Sequence, residues 1–187
     1  MVSHFLTILP ILPINKASVK AGKNSREVVT AARCVNIGLF LSHNLRRDVV
    51  VSVAYGQPDD LRVISFPGET LRRVSPDERS ISFFLLKASE VAKNLVFLTE
   101  RTMDNGIIVG RHSISHLIKT WNPVNVYLAK KIPFDPSVYH GLEKEGLFVY
   151  ALNDDFEPDG IDFERIPRPS TPERHILEVN TYFDNRE

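Results

Sequence analysis

Asp48-Val49-Val50-Val51-Ser52-Val53-Ala54-Tyr55 is an almost unbroken run of β-branched and small residues. A strand with one wet face would alternate apolar and polar positions. A continuous run suits a strand covered on both faces, the usual state in parallel sheets. Upstream, Val28, Ala31, Ala32, Val35 and Leu39 recur at helical spacing. Asn24 and Glu27 stand three apart, as a capping box requires, and Ser42-His43-Asn44 should close that helix. A short strand at 4–9 and a loop rich in Pro, Asn, Lys and Gly come before it.

Downstream, Gly56-Gln57-Pro58-Asp59-Asp60 is turn chemistry, and 61–66 reads as a strand stopped by Pro67-Gly68. Ser75-Pro76-Asp77-Glu78 then supplies a cap, a first-turn proline and two acids for a helix N-terminus. Ile81, Phe84, Leu85, Ala88 and Val91 form that helix's apolar face. Strands are predicted at 95–98, 107–109, 124–128, 147–152 and 161–166, and helices at 112–120 and 172–183. Alternating strands and helices give an α/β class with a mainly parallel sheet and helices on both faces. The 187 residues make one domain, without repeats.

Lys plus Arg and Asp plus Glu both total 23, so bulk charge announces no polyanion or membrane partner. The balance hides an asymmetry. Residues 1–130 carry 17 basic and 10 acidic side chains, and residues 131–187 carry 6 and 13. Two readings stand: a basic face that docks a polyanion, or an acidic C-terminal loop region that is merely solvated. One cysteine, Cys34, excludes an internal disulfide and a Cys-based zinc site, and burial suits it better than nucleophilic work. The apolar start at 5–13 has no basic residue before it and holds two prolines, unlike a secretion signal. No run reaches the ~20 apolar residues of a membrane span, so a soluble, cytoplasmic protein is expected.

The dinucleotide, P-loop, nucleophile-elbow and zinc-protease motifs are absent. His112 and His116 are spaced i,i+4, but no nearby carboxylate completes a metal set. Two arginine-bearing stretches stand out, Ser42-His43-Asn44-Leu45-Arg46-Arg47-Asp48 and Arg72-Arg73-Val74-Ser75-Pro76-Asp77-Glu78-Arg79. Forked guanidinium donors at a helix start can cradle phosphates. They can equally pair with Asp48, Asp77 and Glu78 as local ion pairs.

These same stretches, together with Cys34-Val35, Phe40-Leu41 and Tyr55-Gly56-Gln57-Pro58, closely resemble the archaeal tRNA pseudouridine N1-methyltransferase (TrmY) family of the SPOUT superfamily. The similarity is dense over residues 33–89 and looser through Gly106-Ile107-Ile108-Val109 and 124–128. The resemblance implies a trefoil-knotted α/β fold, a homodimer, S-adenosylmethionine as methyl donor and a tRNA pseudouridine as target. It also favours the phosphate-cradling reading of the arginines, with RNA contacts at Ser42, His43, Arg46, Arg47, Arg72, Arg73 and Arg79. Its cofactor pocket would fall on Ala151, Leu152, Asn153, Ile166, Thr171 and Pro172.

The chain departs from the family where the cofactor should sit. A Gly-Asp-His-like turn becomes Ala151-Leu152-Asn153-Asp154-Asp155, and a Ser-Pro-Leu-Glu-Leu-His-Ala-like stretch becomes Pro169-Ser170-Thr171-Pro172-Glu173-Arg174-His175. The family's Arg-x-Asp step aligns with Glu27-Val28-Val29, and its His-Asp with His43-Asn44, so no catalytic base is assigned. Two functions remain: an S-adenosylmethionine-dependent RNA methyltransferase of the pseudouridine-N1 type, or a SPOUT-derived RNA- or ribosome-binding protein without methyl transfer.

Overall fold

The run at 49–57 lies within an eight-stranded sheet, in a computed structural model that describes residues 2–135 and 137–186. In chain order the elements are β1 (Ser3–Leu9), α1 (Lys16–Ala21), α2 (Arg26–Leu39), β2 (Val49–Gln57), β3 (Asp60–Pro67), α3 (Glu78–Lys93) and β4 (Thr99–Thr102). There follow β5 (Ile108–His112), α4 (Ile114–Trp121), β6 (Asn125–Lys130), α5 (Ser137–His140), β7 (Gly146–Ala151), β8 (Glu164–Pro167) and α6 (Pro172–Asp184). The strand order is β4-β5-β3-β2-β1-β7-β6-β8. From β2 to β8 every pairing is parallel, whereas β2–β3, β3–β5 and β5–β4 are antiparallel.

The sheet is mostly parallel, as expected, and its antiparallel part has a simple reason. Gln57 pairs with Asp60, so only a tight turn joins β2 to β3. A parallel return needs a crossover of a dozen residues or more. Gly56 makes the turn at φ +115, where a Cβ would lie 2.8 Å from the Asp60 carbonyl oxygen.

Both faces of the sheet are covered, unequally. Phe5, Leu9, Val51, Val53 and Phe148 belong to one core with α2, α3 and α6 side chains such as Val28, Val35, Leu85 and Val179. Leu6, Ile8, Ala54 and Val149 look the other way, onto Ile114, Leu117 and Ile118 of α4 and onto Phe156. Alternate residues of one strand feed two cores, and this is why β1 and β2 read as continuous apolar runs. None of the described helices is long and apolar enough to cross a membrane.

Several local expectations shift. Helix α2 is capped by Ser25, whose Oγ accepts from the Val28 N–H, while the Asn24 amide donates to Glu78 and Ser82 across α3. It ends at Leu39, because Phe40 turns extended and bridges to Leu45. Residues 95–98 are not a strand: Leu98 sits at φ +65 and β4 starts at Thr99. The loop after β1 contains α1, too short to leave a clear periodic signal. Residues 161–163 stay outside β8.

Helix α3 starts two residues later than read. Asp77 is its cap, with Oδ1 accepting from the Ser80 N–H at 2.8 Å, while the Ser75 N–H donates to Ser80 Oγ. Asp77→Ala should therefore cost ~0.5–2 kcal/mol. Ser75→Ala should stay within ~0.5 kcal/mol of wild type. Urea melts of the two variants side by side check this.

Candidate functional site

Ligands in α/β sheets settle beyond the carboxyl ends of parallel strands, where loops diverge. Here that rim joins the ends of β1, β7, β6 and β8. At the end of β7 the Leu152 N–H donates to the Ile8 carbonyl at 2.9 Å, tying it to β1. Asn153 Oδ1 then accepts from the Asp155 N–H at 3.0 Å and turns the chain. Across the rim, Ile166 of β8 registers with Ala129 of β6. Thr171 caps α6 by accepting from the Arg174 N–H at 3.4 Å, and Pro172 opens the helix.

The two stretches meet through a residue that sequence reasoning missed. Arg168 donates from Nη1 to the Ala151 carbonyl at 2.6 Å and from Nη2 to the Leu152 carbonyl at 3.4 Å. It also pairs with Asp154 at 3.1 Å and lies 4.0 Å from the Tyr150 ring centroid. The Tyr150 hydroxyl donates to the Pro169 carbonyl at 2.8 Å. Lys130 and Lys131 bind Asp154 from the end of β6, and these cations hold its carboxyl below the ordinary range. No periodicity marks Arg168, Lys130 or Lys131. Basic residues facing the acidic stretch 154–157 were the available signal.

Behind the rim lies a dry polar cluster. His175 is 1% exposed and neither ring nitrogen has a hydrogen-bond partner among the described residues. Burial, assisted by the Arg168 charge, pushes its pKa down to about 3, so the imidazole is neutral. The Cys34 thiol receives the Thr7 hydroxyl hydrogen bond at 3.6 Å, and burial pushes its pKa up to about 12. A thiol so placed is no nucleophile. Among the described residues, no group of three or more His, Cys, Asp or Glu could hold a metal. His112 and His116 stack, with ring centroids 5.2 Å apart, and Glu100 of β4 stands 4.0 Å from His112 Nε2, a carboxylate that sequence reasoning did not place there.

The arginine-bearing stretches lie at the opposite, amino ends of the strands. Arg46, its side chain 15% exposed, clasps Asp184 of α6 through two bonds of 2.6 and 2.5 Å. Arg47 donates to the Gly68 and Glu69 carbonyls at 2.9 and 3.3 Å. Both therefore fasten the chain to itself, Arg46 to the distant Asp184 and Arg47 to two carbonyls. A Cβ on Gly68 would come within 1.8 Å of the Arg46 carbonyl oxygen, so only glycine allows this approach. Ser42 and His43 sit exposed on the turn before them, and Arg72 and Arg73 are also exposed. Arg79 faces elsewhere, into a groove between α1 and α3.

The Arg46→Ala/Arg47→Ala double variant should then lose ~1–3 kcal/mol of stability. Its binding to any polyanion should keep the wild-type slope against log salt. Paired melts and salt titrations test the two statements together.

A family model described as "Putative SAM-dependent RNA methyltransferase" matches residues 16–133. That span holds the arginine-bearing stretches and stops short of the rim at 151–172. The tRNA (pseudouridine(54)-N(1))-methyltransferase of Methanocella arvoryzae is 32% identical over 155 residues, 82% of this chain and 75% of its own length. The Methanococcus vannielii protein of the same name is 34% identical over 116 residues, 58% of this chain and 57% of that protein. That of Methanococcus maripaludis strain C5 is 56% identical over 59 residues, 31% and 30% respectively. The chain spans about a third to a little over half the length of the last two relatives.

Proposed function

The chain belongs to the SAM-dependent RNA methyltransferase family, and from that premise we propose that it methylates N1 of a pseudouridine in tRNA, with S-adenosylmethionine as donor. The observation that carries the reading is the 32% identity to a tRNA (pseudouridine(54)-N(1))-methyltransferase across 82% of this chain. Its setting is the cytoplasm. Its fold is a single SPOUT-type domain, knotted where α6 follows β8 at the sheet's far edge yet returns to α2. In support, Tyr182 of α6 lies 5.9 Å from Tyr139 in the β6–β7 crossover, whose hydroxyl donates to Glu178 of α6 at 3.2 Å. The active form is a homodimer. Phe134, Leu177 and Tyr182 line one groove on that side, and Phe134 and Leu177 are exposed apolar side chains that a second copy would cover.

The rim suits the donor in kind. Leu152 and Ile166 offer apolar side chains for a flat base, the second lone pairs of the Ala151 and Leu152 carbonyls can accept from an amino group, and Arg168 would meet a carboxylate by exchanging it for Asp154. When bound, the donor would supply an electrophilic methyl group to N1 and leave as the neutral thioether, with the N1 proton passing to water. The chain contributes position: Asn153 turns the loop, Thr171 fixes the start of α6, and Arg168 ties one wall to the other. On the RNA side the exposed Ser42, His43, Arg72, Arg73 and Arg79 contact tRNA, while Arg46 and Arg47 hold their loop in shape.

One observation favours the rival reading, an RNA-binding protein without methyl transfer. Arg168 already takes the carbonyls that a base would use. Incubation with methyl-labelled S-adenosylmethionine and a pseudouridine-containing tRNA decides between them. Labelled N1-methylpseudouridine in the digested tRNA is expected. No label, together with no thermal shift by the donor, would establish the rival.

A further inference from the structure

Many basic side chains of the described protein are spoken for. Arg46, Arg62, Arg111, Lys130, Lys131, Arg165, Arg168 and Arg174 all sit against carboxylates. Of those that meet no acid within ion-pair distance, four share one place, a groove of about 600 Å³ between α1 and α3. They are Lys16 and Lys20, one turn apart on α1, and Arg79 and Lys87 on α3. Between them stands Phe83, 44% exposed, with the Lys87 ammonium 4.6 Å from its ring centroid.

Two acids, Asp77 and Glu90, line the groove against four cations, which leaves it positive on balance. An exposed phenylalanine among several cations is more than its single contact with Lys87 requires. A single-stranded or looped nucleic acid uses both: ammonium and guanidinium groups track the phosphates, and a base stacks on the ring.

We propose that the α1–α3 groove is an RNA-binding site that takes unpaired nucleotides of the tRNA, with Lys16, Lys20, Arg79 and Lys87 on phosphates and Phe83 beneath a base. The inference rests on the tRNA reading above and deepens it. It moves the phosphate contacts from the internally bonded Arg46 and Arg47 to cations that are open. It also explains why Arg79 stands apart from the other arginines.

The test compares wild type with Lys16→Gln/Lys20→Gln/Lys87→Gln and with Phe83→Ala, using labelled tRNA at several salt concentrations. Each lysine that meets a phosphate should subtract ~0.7–0.9 from the slope of log affinity on log salt. Phe83→Ala should weaken binding by roughly 5- to 150-fold at unchanged slope. None of the three lysines forms an ion pair, so the triple variant should melt as wild type does, and so report on binding alone. Wild-type affinity and slope in the triple variant would overturn the groove, even if Phe83→Ala binds a protein partner less well. A wild-type protein that binds no tRNA would instead overturn the tRNA reading itself. Labelled transfer by wild type, measured on the same samples, keeps the two failures apart.

Discussion

Arg168→Ala is expected to weaken S-adenosylmethionine binding at least ~10-fold and to cost ~2–3 kcal/mol of folding stability. Its side chain is only 10% exposed, and it bridges the end of β7 to the connector before α6. Removing it leaves the Ala151 carbonyl without its 2.6 Å donor and frees Asp154 from one of its cations. The walls of the rim then lose the fork that aligns them. Lysine should restore little, because a single ammonium cannot serve two carbonyls and stack on Tyr150 at once. Calorimetric titration and denaturant melts of both variants measure the effect. Tighter donor binding by Arg168→Ala would invert the assignment, making the arginine a plug that closes the pocket.

Acidification should remove ~3 kcal/mol of stability by pH 4 through His175 alone. The folded pKa is about 3 and the ordinary value 6.5, so the unfolded chain takes up a proton that the folded one refuses. Stability is thus whole above pH ~6.5 and drains as pH falls toward about 3. The neighbours do not reverse the sign. Arg168 repels an imidazolium, and Glu173, whose Oε2 is buried without a partner, does not reach the ring. His175→Phe keeps the packing against Tyr150 and discards two unpartnered nitrogens. It should match or exceed wild type at neutral pH and flatten the pH slope, read from urea midpoints at three pH values. An unchanged slope would assign the titration to another group.

Much of the fold could be read from the chain because its signals are local. The β-branched run at 49–55, the turn chemistry at 56–60 and the 3.6-residue spacing after Arg26 each fix an element by themselves. The mostly parallel character of the sheet was legible, but its antiparallel edge was not, because apolar density reports cover on two faces, and an antiparallel strand such as β3 can be covered as fully as a parallel one. Caps slipped by one or two residues because Asn24, Ser25, Ser75 and Asp77 are all good caps, and the choice lies in backbone angles.

The site divides in the same way. Residues 151–153 and 166–172 do come together, yet the resemblance could not show that Arg168 joins them. Arg46 and Arg47 look alike with free arginines until Asp184 and Gly68, far along the chain, are folded against them. The cations of the α1–α3 groove are scattered from 16 to 87 and form no motif.

The position of β1 between β2 and β7 dictates an order of assembly during synthesis. Its register with β2 pairs Phe5 with Val51, so one edge can be satisfied early. The other edge pairs Phe5 with Phe148, which leaves the ribosome roughly seven to thirty seconds after Phe5 at ~5–20 residues per second. Through that interval β1 presents an open, apolar strand edge, the kind that recruits other chains. The antiparallel half of the sheet, β2 to β5, closes on contacts nearby in sequence and can form first. The nascent protein is therefore most exposed to misassembly while residues 113–145 are still being made, after half the sheet exists and before β7 arrives to seal it.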